Sequence, residues 1–216
     1  MKPRLMKSVL NRINRLAPFI PAEGSVSREQ VQFFHRLLQQ HPDIKLVAET
    51  GFNTGVSARA VLAARADTTV VSFDTAQNRS VPRAKTAIDR EFPGRHDLVP
   101  GDSRETLPAY AREHPGKRFD LVFIDGGHDY EVAQSDLFNF RALSHDKTVV
   151  IMDDLTPWFR WGQGPTRVWQ EALRAGLITP EGLYKNGEPV TEPTGRGLDY
   201  IWGVGYYRDI NGGGIQ

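Results

Sequence analysis

Five short apolar runs recur at 44–48 (IKLVA), 69–73 (TVVSF), 97–100 (DLVP), 119–124 (FDLVFI) and 147–152 (KTVVIM), separated by segments of helical character near 55–66, 81–92, 103–113 and 130–141. Strands that are apolar on both faces and alternate with helices imply a parallel sheet covered on both sides. A further helix is expected over about 166–175. A loop or loose hairpin is expected over 182–197, where Gly182, Gly187, Gly195 and Gly197 cluster with Pro189 and Pro193, and a final strand over 199–207. The pattern predicts one α/β domain, doubly wound around a mostly parallel, seven-stranded sheet and closed by a late strand pair. No repeat of 20–50 residues competes with it. The expected organisation is a helical arm and helix over 1–41, the domain over 42–210 and a flexible tail over 211–216.

Ahead of the first run, Ser27-Arg28-Glu29-Gln30 reads as a capping box opening a helix whose inner face carries Phe33, Phe34, Leu37 and Leu38, with Pro42 ending it. Residues 1–16 hold Lys2, Arg4, Lys7, Arg12 and Arg15 and no acid, so the rest of the chain has 22 bases against 26 acids. Leu5, Val9, Ile13 and Leu16 share one stripe of this basic arm. That stripe predicts a packing helix or a homo-oligomer contact, with a membrane-surface helix or a weak nucleic-acid contact as the other readings. The acidic body disfavours nucleic acid as a partner, because phosphate binding needs a basic face. No apolar run approaches the roughly 18 residues of a membrane span or the core of a signal peptide, so a cytoplasmic protein without a membrane span is expected. Cysteine is absent, which removes disulfides, thiolate metal sites and a cysteine nucleophile. A chain of 216 residues buries enough surface to fold without a metal staple, so any metal it binds is expected to be functional.

In an open α/β sheet, ligands lie beyond the carboxyl ends of the strands, where the strand order reverses. Each of the five runs is followed there by a carboxylate: Glu49 in ETGFNTG, then Asp74, then Asp102 in GDS, then Asp125 in DGGH, then Asp153-Asp154. The glycine loop has the spacing G-x-x-x-G, from Gly51 to Gly55 with Asn53 between, and not the G-x-G-x-x-G of a dinucleotide site. It carries one acid and no base, which suits a ligand without phosphate and with positive charge. Asp74 is spaced to accept hydrogen bonds from ribose hydroxyls.

These residues resemble the class I S-adenosylmethionine-dependent methyltransferases, whose fold is Rossmann-like. The resemblance implies that Glu49, Gly51, Asn53 and Gly55 form the cofactor loop, that Asp74 holds the ribose and that Asp102 and Ser103 lie against the adenine. The segments FIDGGHDYE, from Phe123 to Glu131, and IMDD, from Ile151 to Asp154, are similar to the metal-dependent O-methyltransferases. Among these the macrocin O-methyltransferase and cephalosporin-hydroxylase-like branch is the nearest in pattern. It implies that Asp125, Asp153 and Asp154 bind a divalent cation such as Mg2+. Independently, carboxylates gathered in one crevice repel unless a cation or protons intervene, and all-oxygen donors suit a hard ion.

The reaction expected from the resemblance is methyl transfer to a hydroxyl of a small-molecule acceptor. His128 is the expected base because its ordinary pKa lies near the working pH, with Asp129 as the substitute. Where some relatives carry an acidic base, this chain has Gly127. Trp158, Phe159 and Trp161 follow the acid pair, where a lid over the acceptor would sit or where ordinary packing aromatics would. The competing readings are an NAD-type oxidoreductase, which the missing G-x-G-x-x-G disfavours, and a cofactor-binding module without transfer. An Asn/Asp-Pro-Pro-Tyr signature of amino-group methylation is absent after the fourth run.

Overall fold

The computed structural model describes residues 26–208, so the basic arm over 1–16, with its expected helix, and the tail over 211–216 lie outside the described residues. Helix α1 (Arg28–Gln40) opens with the expected capping box. The amide of Gln30 donates to Ser27 Oγ at 3.1 Å and that of Ser27 to Gln30 Oε1 at 2.8 Å, which pairs two N–H groups that have no partner within the helix. Phe34 and Leu38, one turn apart, are 1% and 0% exposed and seat the helix on the sheet.

From there strand and helix alternate: β1 (Leu46–Thr50), α2 (Val56–Ala64), β2 (Thr69–Asp74), α3 (Val81–Glu91), β3 (His96–Pro100), α4 (Ser103–Glu113), β4 (Phe119–Ile124), α5 (Tyr130–Arg141) and β5 (Ser144–Met152). The five strands are parallel in the order β3-β2-β1-β4-β5. The chain therefore winds outward from β1 and returns to its other side at β4. Because successive side chains point to opposite faces, Val47, Val70, Leu121 and Val149 meet one helix layer, α1 to α3. Their neighbours Ala48, Val71, Val122 and Val150 meet the other.

The last third departs from expectation. It forms α6 (Arg160–Arg174), β6 (Ile178–Lys185), β7 (Glu188–Val190) and β8 (Ile201–Tyr207), and β8 lies antiparallel between β5 and β6. The sheet has eight strands, not seven, because the segment expected as a loop or loose hairpin forms a tight hairpin whose strands join the sheet. Asn186 and Gly187 both have positive φ, +50° and +88°, the geometry of the two-residue turn that matches strand twist, and it pairs Lys185 with Glu188. Helix α6 starts at Arg160 and not near 166. Gly162, Gly164 and Pro165 look like breakers in sequence, yet the glycines serve close approach. A Cβ on Gly162 would overlap the Thr156 backbone, and one on Gly164 the His128 carbonyl. This contact presses the first turns of α6 onto the segment after β4. Among the described residues no helix is long and apolar enough to cross a membrane.

Candidate functional site

The strand order reverses between β1 and β4, and their carboxyl ends meet in a tight seam. The amide of Asp125 donates to the Thr50 carbonyl at 3.2 Å, and Gly51, at φ +86°, sits so close that a Cβ would overlap the Asp125 carbonyl oxygen. No other residue type fits this position without displacing one strand end. The glycine loop and the carboxylates after β4 thus share one wall.

On the loop side, Asp74 Oδ2 accepts the amides of Phe52 and Asn53 at 2.8 and 2.9 Å, and its Oδ1 accepts the amide of Ala76 at 2.7 Å. Asp74 therefore shapes the loop. Asn53, at φ +43°, accepts from Asn78 Nδ2 at 2.9 Å, and Gly55, at φ +71°, opens α2. Glu49 lies within β1, which runs two residues past the apolar run, and is 2% exposed. Its Oε1 accepts from Ser72 Oγ at 2.6 Å, and Ser72 also meets His96 Nε2 at 2.8 Å. Burial pushes the Glu49 carboxyl up to about 7 and the His96 imidazole down to about 4. The network meets the loop at Phe52, whose ring stacks on His96 at 4.9 Å between ring centres.

Asp102 and Ser103 stand together at the end of β3. Asp102 caps α4 through the Arg104 amide at 2.9 Å and pairs with the Arg104 guanidinium at 2.5 Å. Below the seam the fully buried Asp136 of α5 faces Thr50 and Gly126, and burial raises its carboxyl to about 6.

After β4 and β5 the structure gathers Asp125, His128 and Asp154, whose donor atoms lie within 4.8 Å of one another. His128 Nε2 is 2.7 Å from Asp154 Oδ2. That hydrogen bond, and then the charges of Asp154 and Asp153, raise the His128 pKa. Burial, and then Asp153 and Asp154, hold the Asp125 carboxyl well above the usual carboxylate range. Such a set repels itself when ionised, and two carboxylates with one imidazole fit a divalent cation.

The third expected carboxylate, Asp153, is adjacent but otherwise engaged. Its Oδ1 accepts the Asp154 amide at 2.8 Å, and its Oδ2 accepts Gln30 Nε2 at 2.5 Å. His128 takes its place in the cluster. Sequence reasoning missed Gln30 because it read that residue as a helix cap alone. It also missed Asp136, whose only signal was an acid among the apolar positions of a helix. Asp129 begins α5 at its N-cap without a side-chain cap bond. Trp158 donates Nε1–H to the Gly197 carbonyl at 3.2 Å, and Phe159 stacks on Trp161 at 4.3 Å between ring centres.

A family model described as a methyltransferase domain matches residues 48–155, from the middle of β1 to just past Asp154. Among solved structures, an O-methyltransferase from Bacillus cereus in complex with SAH has a TM-score of 0.69 at 18% identity, over 95% of this chain and 92% of that one. The O-methyltransferase TomG of Streptomyces achromogenes, involved in tomaymycin synthesis and solved with SAM, has a TM-score of 0.66 at 18% identity, over 96% and 90%. The SAH-bound methyltransferase PaMTH1 of Podospora anserina has a TM-score of 0.64 at 16% identity, over 97% of each chain. At these identities the likeness is one of fold. No curated protein matches the sequence.

Proposed function

The chain belongs to the methyltransferase-domain family, and from that premise we propose that it transfers the methyl group of S-adenosylmethionine to a hydroxyl of a small metabolite, at a site completed by a divalent cation. The observation that carries this reading is the seam of Gly51 and Asp125, which sets the glycine loop against the Asp125, His128 and Asp154 cluster. The cofactors of the solved relatives and their description as O-methyltransferases support it. The FIDGGHDYE and IMDD segments favour the macrocin O-methyltransferase and cephalosporin-hydroxylase-like branch.

In this reading Gly51, Asn53 and Gly55 present backbone to the methionine part of the cofactor, Asp74 holds the ribose, and Asp102 with Ser103 borders the adenine. Glu49 is buried against Ser72, and the cofactor's positive charge would favour its ionised form. Asp125 and Asp154 would hold a cation such as Mg2+, with Asp153 behind them and His128 beside it, and the ion would lower the pKa of the acceptor hydroxyl. In the transfer the methyl group would pass from sulfur to the acceptor oxygen, and that oxygen's proton would pass to the imidazole of His128. Asp154 at 2.7 Å stabilises the imidazolium that results. Trp158, Phe159 and Trp161 flank the acceptor and exclude water. The products are S-adenosylhomocysteine, a methyl ether and one proton.

Thermal unfolding with S-adenosylhomocysteine or NAD, each with Mg2+ and with EDTA, tests the reading. At a hundredfold excess over Kd, S-adenosylhomocysteine is expected to stabilise by about 2.7 kcal/mol, or roughly 5–10 °C for a chain of this length. A shift with NAD and none with S-adenosylhomocysteine would overturn it.

A further inference from the structure

Gln30 and Asp153 lie 123 residues apart in sequence, both are buried, and their side chains meet at 2.5 Å. The orientation of the Gln30 carboxamide is set from the other end. Its Oε1 accepts the Ser27 amide in the capping box, so the Nε2 donors face the sheet. With Oδ2 taken by Gln30, Asp153 turns Oδ1 to the Asp154 amide. Asp154 is not glycine, yet it has φ +57°, a left-handed conformation that is unfavourable to L residues, though less so to aspartate than to most. In that conformation its carboxylate reaches His128 and joins Asp125. A continuous chain of contacts thus runs from the cap of α1 to the candidate cation site.

We propose that Gln30 is a positioning residue for that site: through Asp153 it holds the left-handed backbone of Asp154, and so couples the N-terminal helix to cation affinity. The proposal rests on reading Asp125, His128 and Asp154 as a cation site. Outer partners that orient metal ligands commonly change affinity 10–100-fold when removed. Coupling is reciprocal, so a bound cation stabilises α1 by the factor by which α1 tightens the cation.

The test uses the whole chain with Mn2+ as the probe, titrated calorimetrically into the unmodified protein and into Gln30→Leu, Gln30→Glu and Ser27→Ala. Both Gln30 variants are expected to weaken Mn2+ about 10–100-fold and to speed hydrogen exchange at the Asp154 amide, with S-adenosylhomocysteine affinity unchanged within about twofold. Ser27→Ala weakens the cap of α1 but keeps the donor to Asp153, and is expected to change Mn2+ affinity less than about threefold. Unchanged Mn2+ affinity in the Gln30 variants, or an equal loss in Ser27→Ala, would overturn the proposal. Should Gln30→Leu fail to fold, the near-isosteric Gln30→Glu decides. Should the unmodified protein bind no Mn2+, the cation reading fails by itself, and exchange at the Asp154 amide still decides the positioning role.

Discussion

The Nε2 of His128 lies 2.7 Å from Oδ2 of Asp154, across the gap between the ends of β4 and β5, with Asp125 completing the cluster. This pair ties the expected base to an expected metal ligand. The hydrogen bond to Asp154, and then the charges of Asp154 and Asp153, raise the His128 pKa. A divalent ion held by the carboxylates would offset those charges and favour the neutral imidazole, the state in which it accepts a proton.

Removing either carboxylate should therefore separate the two halves of the site. Asp125→Asn and Asp154→Asn are each expected to abolish metal-dependent turnover while leaving the Kd for S-adenosylhomocysteine within a few-fold. Asp153→Asn is expected to lower turnover as well, by releasing Gln30 and the Asp154 backbone. Calorimetric titration and an assay with Mg2+ or EDTA check this, and full turnover in EDTA would contradict it.

His128→Ala removes the proposed proton acceptor and leaves both carboxylates. The expected result is a fall of roughly 10²–10⁴ in kcat, the usual worth of a general base. The rate must be read under conditions where methyl transfer limits turnover. An unchanged kcat there would assign His128 to structure alone.

Much of this site was legible because parallel strands end in register: a carboxylate after each apolar run must arrive at the same edge. The reversal between β1 and β4 then follows from the winding of the sheet, and it joins Gly51 to Asp125. Other features were hidden for physical reasons. Gln30 reaches Asp153 from a helix on the far side of the chain, and no local pattern encodes that contact. Gly162 and Gly164 carry no local sign of their role, close approach to Thr156 and His128, which is visible only once both elements are placed. The Asn186-Gly187 hairpin was signalled by its dipeptide but lay within a stretch dense in glycine and proline. The short strand β7 gave no periodicity of its own.

The Gly51 position tests the seam. Alanine there must adopt φ +86° and place its Cβ into the Asp125 carbonyl. Strain from the left-handed backbone alone costs about 1 kcal/mol or more, and relief of the overlap must move β1 or β4. Gly51→Ala is expected to lose at least about 2 kcal/mol in urea unfolding and to weaken S-adenosylhomocysteine and Mn2+ together. Loss of one ligand with the other untouched would show that the seam does not link the two sites.

Glu49 should leave a signature in stability against pH. Its carboxyl is buried and raised from 4.5 to about 7, against hydrogen bonds from Ser57 and Ser72. Below pH 4.5 the group is protonated in both the folded and unfolded chains and contributes nothing. Between 4.5 and 7 the unfolded chain has released the proton and the folded chain still holds it, so stability falls as pH rises. Above about 7 the penalty is constant, at about 3 kcal/mol from the size of the shift. Asp125, Asp136 and Asp153 are shifted in the same direction, so only a difference isolates Glu49. The stability of Glu49→Gln relative to the unmodified protein is expected to rise by roughly 2–4 kcal/mol between pH 4.5 and 8, measured by urea unfolding at both ends. A difference that stays flat across this range would mean that Glu49 ionises freely in the folded chain.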